Sequence, residues 1–273
     1  MRALVVRAQA VATAAVLASG IGLAAAGGAT STAVPQASGQ ILALIARSPE
    51  ALAQYPSLRM TVTINIGTNG RNITLQEHGL VSRDGRLGTV SMALPNGLGQ
   101  MNSVVSGRTI YVRIAPAHLT ETGGRHWAGL TLSGGQTQPV SGSNALDYLR
   151  LLVGANGHIS VLGHDTIDGA PCTHYRVDVD VAKALANAPV QVGDSGQQLL
   201  QAGIHTLPTD VWIDAQGRPR QMKMSYHLDG GSFATTIRFQ GSSEPVHATL
   251  PLASDIFEVS DFQQLAPLIL NTP

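Results

Sequence analysis

The sequence predicts an α+β protein built on one large, curved antiparallel sheet, a half-barrel of about ten strands with helices covering its concave face. From Leu58 to Ile66, apolar side chains alternate with polar ones, which is typical of a strand that buries one face. Turn dipeptides such as Asn69-Gly70 and Asp84-Gly85 separate further runs of this kind. Because a sheet of this size must twist and curl, we expect an apolar space between its concave face and the helices.

The predicted elements form a meander that short helices interrupt. Ile41, Leu42, Leu44 and Ile45 predict a first short helix. Ser48-Pro49 is typical of an N-cap and a first helical residue, so a second short helix is expected to run to Gln54. Further helices are predicted over 143–153, 181–187 and 196–202, and at most a weak helix over 255–268. Strands are predicted over 58–66, 72–82, 87–94, 101–105, 109–114, 126–132, 158–168, 173–180, 209–214, 220–228 and 232–241.

The first thirty residues carry the pattern of an export signal. Arg2 and Arg7 precede an uncharged, Ala-rich stretch from Ala8 to Ala26, which small residues follow. The alternative is an uncleaved membrane anchor, because this stretch is nearly long enough to span a bilayer. We therefore expect a signal peptide over 1–30, a linker over 31–40 and a single domain over 41–273.

Cysteine usage and charge narrow the location and the partners. Cys172 is the only cysteine and lies far from the N-terminal stretch, so an exported protein without a lipid anchor is expected. Lys plus Arg and Asp plus Glu each number 17, and charged residues make up only 12% of the chain. This balance argues against nucleic acid and against an anionic membrane surface as the main partner. Nothing in the sequence predicts a cofactor.

Three groups of residues invite a catalytic or metal-binding interpretation, and each has a simpler one. The stretch Gly193-Asp194-Ser195-Gly196 matches the surroundings of a serine-protease nucleophile, but Asp and Ser also cap helices. Cys172 and His174 share a strand face, although a structural zinc site needs four ligands. His118 and His126 flank a glycine-rich loop with Glu121 and Arg125, a composition typical of solvated loops. No catalytic or metal site is predicted.

Two hairpins carry a family resemblance. The stretch Gly163–Gly169 followed by Thr173–Asp180, and the stretch Leu207–Asp214 followed by Gly217–Arg220, resemble consecutive hairpins of the actinobacterial LppX/LprAFG-like proteins. The resemblance implies a LolA-like half-barrel with helices in its mouth, in exported proteins of which several carry lipids or acylated proteins. The chain departs from that group in lacking the lipid-anchor cysteine and in having His164 where an acidic residue is common.

The sequence and the resemblance together predict a monomeric, non-enzymatic binding protein near the cell-envelope membrane. Its expected partner is a lipid or an acylated protein, held in the cavity for lipid or lipoprotein transport. The alternatives are a protein-interaction or envelope-sensor module with a filled cavity and, less favoured, a hydrolase built around Ser195 or a histidine. The predicted cavity lining consists of apolar strand and helix positions: Met60, Val62, Ile64, Val112, Leu149, Val153, Tyr175, Val177, Val211, Met222, Met224 and Ile237.

Overall fold

The computed structural model describes residues 35–68, 71–83, 85–95, 99–131, 158–186, 200–228 and 231–269. The helices are α1 (Pro35–Leu52), α2 (Val181–Ala186) and α3 (Phe262–Leu268), with 3₁₀ turns at Pro116–His118 and Ala253–Asp255. The strands are β1 (Ser57–Thr68), β2 (Arg71–Ser82), β3 (Leu87–Ala93), β4 (Gln100–Ser106), β5 (Thr109–Arg113), β6 (Trp127–Thr131), β7 (His158–Ile167), β8 (Ala170–Asp180), β9 (Thr206–Asp214), β10 (Pro219–Leu228), β11 (Gly231–Ser242) and β12 (Ile256–Val259).

All twelve strands belong to one sheet, which is antiparallel except at one edge. Their order is β12-β6-β5-β4-β3-β2-β1-β11-β10-β9-β8-β7, so within the described ranges β12 and β7 are the two edges and the sheet does not close. Strand β1 lies inside the sheet between β2 and β11, with twelve paired positions on each side. Each predicted strand is confirmed to within a few residues, because period-two alternation and turn residues specify them together.

The N-terminal helices differ from the prediction. A single helix, α1, begins at Pro35 inside the predicted linker and continues through Pro49 to Leu52. The predicted break at Ser48 is therefore wrong. Proline has no N–H group to donate to the carbonyl group of Ile45, and the Ser48 hydroxyl group donates to that oxygen instead, at 2.8 Å. The serine acts inside the helix rather than as its cap.

The C-terminal segment also differs. Ile256–Val259 forms β12, which pairs in parallel with β6, although only a weak helix was predicted there. A four-residue strand is too short for alternation to reveal it, and its partner lies about 130 residues earlier in the chain. A short helix does follow, α3, whose N-cap Asp261 accepts a hydrogen bond from the Gln264 N–H group at 2.9 Å.

The buried side chains form two clusters on one face of the sheet. The larger cluster joins β1–β3 and β7–β11 to α1 through Ile45 and Leu52. The smaller cluster joins β4–β6 and β12 to α3 through Leu265 and Leu268. Helix α1 packs against β7 and β10, and α3 packs against β6 and β12. The described helices thus cover two parts of this face, and the predicted covering helix over 143–153 lies outside the described residues.

A buried ionic cluster fixes the turn between β9 and β10. The side chain of Asp214 is only 2% exposed. Its Oδ1 accepts from the backbone N–H groups of Gln216 and Arg218, and its Oδ2 accepts from the Arg218 guanidinium group at 2.8 Å. Arg220 Nε lies 3.2 Å from the same Oδ2 in an ion pair without hydrogen-bond geometry. One carboxylate therefore holds two cations and two backbone donors.

Candidate ligand-binding face

The registers of the strands define the face on which the larger cluster lies, here called the inner face. Val62 stands between Glu77 of β2 and Ile237 of β11, and the next position on this row is Met222 of β10. A second row begins at Ile64 of β1 and passes through Leu75 on one side and Thr235 on the other. Because side chains alternate along each strand, these two rows extend across neighbouring strands and form one continuous surface.

Most of the predicted lining residues lie together on the inner face. Within the larger cluster, all of them are less than a tenth exposed: Met60, Val62, Ile64, Tyr175, Val177, Val211, Met222, Met224 and Ile237. Val112 belongs instead to the smaller cluster beside α3, because its strand lies five places from β11. Leu149 and Val153 lie outside the described residues. Whether these side chains touch a ligand remains a prediction.

The part of the inner face between the two helices is less completely covered. Leu94 and Met101 pack against both clusters and stay partly exposed. Ile66 and Ile73, at the hairpin end of β1 and β2, are partly exposed as well. These four side chains give the buried apolar surface an accessible margin near the β1–β4 strands.

Glu77 interrupts this apolar surface, and the sequence analysis missed it. On β2 the inward positions are Ile73, Leu75, Glu77, Gly79 and Val81, so a carboxyl group occupies an apolar register. Its residue is 3% exposed. Burial raises the pKa of the Glu77 carboxyl group to about 8, because the charged form loses its water. The break in the alternation of β2 was the available signal.

Threonines supply two further polar groups of the inner face. Thr235 is 3% exposed, and its hydroxyl group has no hydrogen-bond partner among the described residues. Thr209 is fully buried on the row of Met224, and its hydroxyl group donates to the Leu207 carbonyl group at 3.5 Å. The face is thus apolar with a few isolated hydrogen-bonding groups.

The outer face carries a separate, more polar groove. It has a volume of about 520 Å³ and crosses β1–β6. Its outward-facing lining includes Arg59, His78, Ser91, Asn102 and Trp127. Asn102 directly follows Met101 on β4, so Met101 faces the inner side of the sheet and its neighbour Asn102 faces the outer groove.

A second outer-face feature is a network at β7–β9 around His174. The His174 ring stacks on the Trp212 ring with centroids 4.1 Å apart. Its Nε2 lies 3.0 Å from Asp210 and its Nδ1 lies 3.3 Å from Asp165, whose carboxylate group also accepts from the Trp212 indole N–H at 2.7 Å. Arg176 donates two hydrogen bonds to Asp210. The network joins three strands, and each of its charged and aromatic side chains already has a partner within it.

The catalytic and metal-binding alternatives find no matching arrangement of side chains among the described residues. His118 contacts Glu121 at 3.3 Å, whereas His126 contacts Asp255 at 2.7 Å, so the two histidines serve different partners. Cys172 is buried, and burial raises the pKa of its thiol group. Within the described ranges, no group of three or more His, Cys, Asp or Glu side chains is placed to hold a metal ion. The stretch 193–196 lies outside them.

Comparison with curated sequences and family models gives one partial relative. No family model matches the chain. An uncharacterized 31.2 kDa protein from the rplA-rplJ intergenic region of Streptomyces griseus is 27% identical over 165 residues, which cover 55% of this chain and 54% of the relative. The chain thus spans about half the length of the curated relative it matches.

Solved structures with a similar course of the chain include two actinobacterial proteins. LprF from Mycobacterium bovis has a TM-score of 0.49 and 19% identity, covering 78% of this chain and 98% of that one. Lipoprotein LppX from Mycobacterium tuberculosis has a TM-score of 0.48 and 16% identity, covering 77% and 98%. A LolA superfamily protein from Nitrosomonas europaea has a TM-score of 0.32 and 13% identity, covering 76% and 92%. The chain is thus similar to LppX and LprF, as its two hairpins predict, and these similarities assign no ligand to it.

No helix in the described part of the chain has both the length and the apolar content needed to cross a membrane.

Proposed function

We propose that the chain is an exported, non-enzymatic binding protein that holds a lipid or an acyl chain against the inner face of its sheet. The proposal includes a role in lipid or lipoprotein transport within the cell envelope. It takes residues 1–30 as the export signal that their sequence pattern predicts and 41–273 as one monomeric domain. Its partner would be a lipid or an acylated protein.

The observation that supports this proposal most is the continuity of the apolar surface. The row through Val62, Ile237 and Met222 and the parallel row through Ile64 and Met224 contain mostly apolar side chains, and Glu77, Thr235 and Thr209 are the polar exceptions. Arg59, Lys223 and Arg238 belong to the opposite face by the same registers. An acyl chain laid against such a surface gains about 0.8 kcal/mol for each CH₂ group removed from water.

The partly exposed margin supports ligand entry. Leu94, Met101, Ile66 and Ile73 remain accessible although they adjoin the buried clusters. A hydrocarbon tail could therefore enter beside β1–β4 without first separating α1 or α3 from the sheet. Binding of this kind needs no nucleophile or general base, so the proposal assigns no catalytic residue.

A matched pair of tryptophan substitutions tests which face binds. In Met101→Trp the large ring fills the margin of the inner face, and in Asn102→Trp the same ring fills the outer groove. We expect Met101→Trp to weaken the binding of a fluorescent dodecanoyl probe by about tenfold or more, equivalent to about 1.4 kcal/mol. Asn102→Trp should bind the probe like the unsubstituted chain, and thermal unfolding should report both variants as folded.

The opposite pattern would contradict the proposal. If Asn102→Trp abolished probe binding and Met101→Trp left it unchanged, the outer groove would be the binding site. If the unsubstituted, folded chain bound no probe at all, acyl binding itself would be rejected.

A second candidate, a protein-interaction or envelope-sensor module, is favoured by the β7 edge. Among the described strands, β7 has only β8 beside it, and Val161 and Leu162 on β7 are about half exposed. An unpaired edge with apolar side chains is a place where another protein can add a strand. This candidate replaces the first if the folded chain proves consistently empty of lipid.

A further inference from the structure

The inner face contains a carboxyl group in a place where an apolar side chain would pack equally well. Among the described inward-facing side chains of β1–β5 and β11, Glu77 is the only charged residue type. Its cross-strand neighbours are Val62 and Met92, and its neighbours along β2 on this face are Leu75 and Gly79. Of these four, only Met92 has a hydrogen-bonding atom in its side chain, a thioether sulfur that accepts weakly.

Glu77 and Thr235 both have unused hydrogen-bonding capacity on this face. The Glu77 carboxyl group makes no hydrogen bond to any described residue, although its residue is 3% exposed. The Thr235 hydroxyl group, on the other side of β1, is also without a partner in the described structure. Buried polar groups are almost always paired, so two such groups on a proposed binding face indicate that a bound molecule completes them.

The protonation state of Glu77 decides what it can bind. Burial raises the pKa of its carboxyl group to about 8, so the neutral acid predominates at pH 7 and offers one O–H donor. No titratable side chain of β1 or β3 faces it. The other titratable groups packed on the described inner face are the phenols of Tyr55, Tyr175 and Tyr226. Burial raises the pKa of Tyr226 to about 12, so this phenol stays neutral in the same range.

We propose that the Glu77 carboxyl group donates a hydrogen bond to an ester carbonyl oxygen of an acylated neutral lipid, and that the Thr235 hydroxyl group, two strands away, donates to a second ester carbonyl oxygen of the same lipid. The inference rests on the proposed function and specifies its ligand class. An ester fits because its carbonyl group is neutral and accepts a hydrogen bond. A free fatty-acid carboxylate would bring a negative charge onto an apolar surface, and a plain hydrocarbon would leave both donors unpaired.

A pair of lipids that differ only in their carbonyl groups tests this assignment on the full chain. The probes are a fluorescent diacylglycerol, which has ester carbonyl groups, and the matching dialkylglycerol ether, which has none. We expect the unsubstituted chain to bind the ester about tenfold more tightly at pH 6, the effect of one buried hydrogen bond. Glu77→Gln retains an N–H donor and should retain a preference. Glu77→Leu should bind both lipids equally, and Thr235→Val should show a reduced preference.

The pH dependence supplies a second readout. As pH rises through about 8, ionisation of Glu77 removes its donor, so the ester preference of the unsubstituted chain should decrease while that of Glu77→Gln stays constant. Equal binding of ester and ether by the unsubstituted chain, or an unchanged preference in Glu77→Leu, would overturn the ester assignment alone. Failure of the folded chain to bind either lipid would overturn the proposed function as well.

Discussion

Replacement of Glu77 by leucine is expected to stabilise the ligand-free protein by about 3 kcal/mol at pH 7. Unfolding returns the carboxyl group to its ordinary pKa of 4.5, whereas burial in the folded chain raises the pKa to about 8. Between these two values the folded state must hold a proton that the unfolded state releases. Leucine has a similar size and suits the contacts with Val62 and Met92, so it removes this cost without leaving a void.

The sign of the pH dependence follows from the same shift. Because the pKa of Glu77 is higher in the folded chain, the carboxyl group lowers the free energy of unfolding only above pH 4.5, where the unfolded chain releases its proton. Below pH 4.5 the stability is fully present, and it is lost progressively as the pH rises through about 8. Urea unfolding of the unsubstituted chain should therefore give a free energy that decreases over this window relative to Glu77→Gln. Glu77→Gln is the matched control, since it keeps the shape and the polarity but does not titrate. A constant difference between the two proteins from pH 5 to pH 9 would show that Glu77 is not buried as described.

Loss of the Asp214 charge is expected to destabilise the protein by about 3 kcal/mol. In Asp214→Asn the turn keeps a side chain of the same shape, but Arg218 and Arg220 lose the carboxylate group with which both are paired. The Asp214 side chain is 2% exposed, so water cannot replace the lost charge. An unpaired cation left near a buried site is costly, whereas an exposed one is not.

The matched control is Asp168→Asn. Asp168 forms an ion pair with Arg238 at 3.1 Å, and its side chain is 56% exposed. It also adopts a positive φ of 48°, which asparagine tolerates. We expect this variant to lose less than about 1 kcal/mol in the same urea unfolding measurement. Equal losses in the two variants would mean that the Asp214 cluster contributes no more than a surface ion pair.

The central strands could be predicted because their signals are local. In β1 the alternation from Leu58 to Ile66 gives both the strand and its buried face. At the β7–β8 hairpin, the dipeptide Asp168-Gly169 supplies the two positive φ angles, 48° and 79°, that the turn adopts. The strand and its turn are thus specified within about ten residues of sequence.

The parts that were missed depend on distant or unusual partners. Strand β12 exists because β6 offers its free edge, and the four residues of β12 carry little pattern of their own. Helix α1 passes Pro49 because the Ser48 hydroxyl group takes over the carbonyl oxygen that proline leaves unpaired. Sequence rules treat such a proline as a helix start, and the substitution of one donor for another is visible only in coordinates.

The apolar part of the candidate site was predicted from the sequence, whereas its polar part was missed. Val62, Met222 and Ile237 were identified by alternation and do share one face. Glu77 was overlooked because charged residues are expected to face water, so its position in the apolar register of β2 was not weighed. Val112 was placed on the correct face, but strand order, which alternation does not give, puts it in the other cluster.

The most direct test of lipid binding is native mass spectrometry of the chain after it is expressed with its first thirty residues in an actinobacterial host and purified from that host. The account predicts a mass excess that matches about one lipid per chain, and solvent extraction should release acyl esters in the same ratio. Folded protein at its bare polypeptide mass, with no extractable lipid under conditions that preserve bound lipid in a control carrier, would contradict the claim that the inner face holds an acyl ligand.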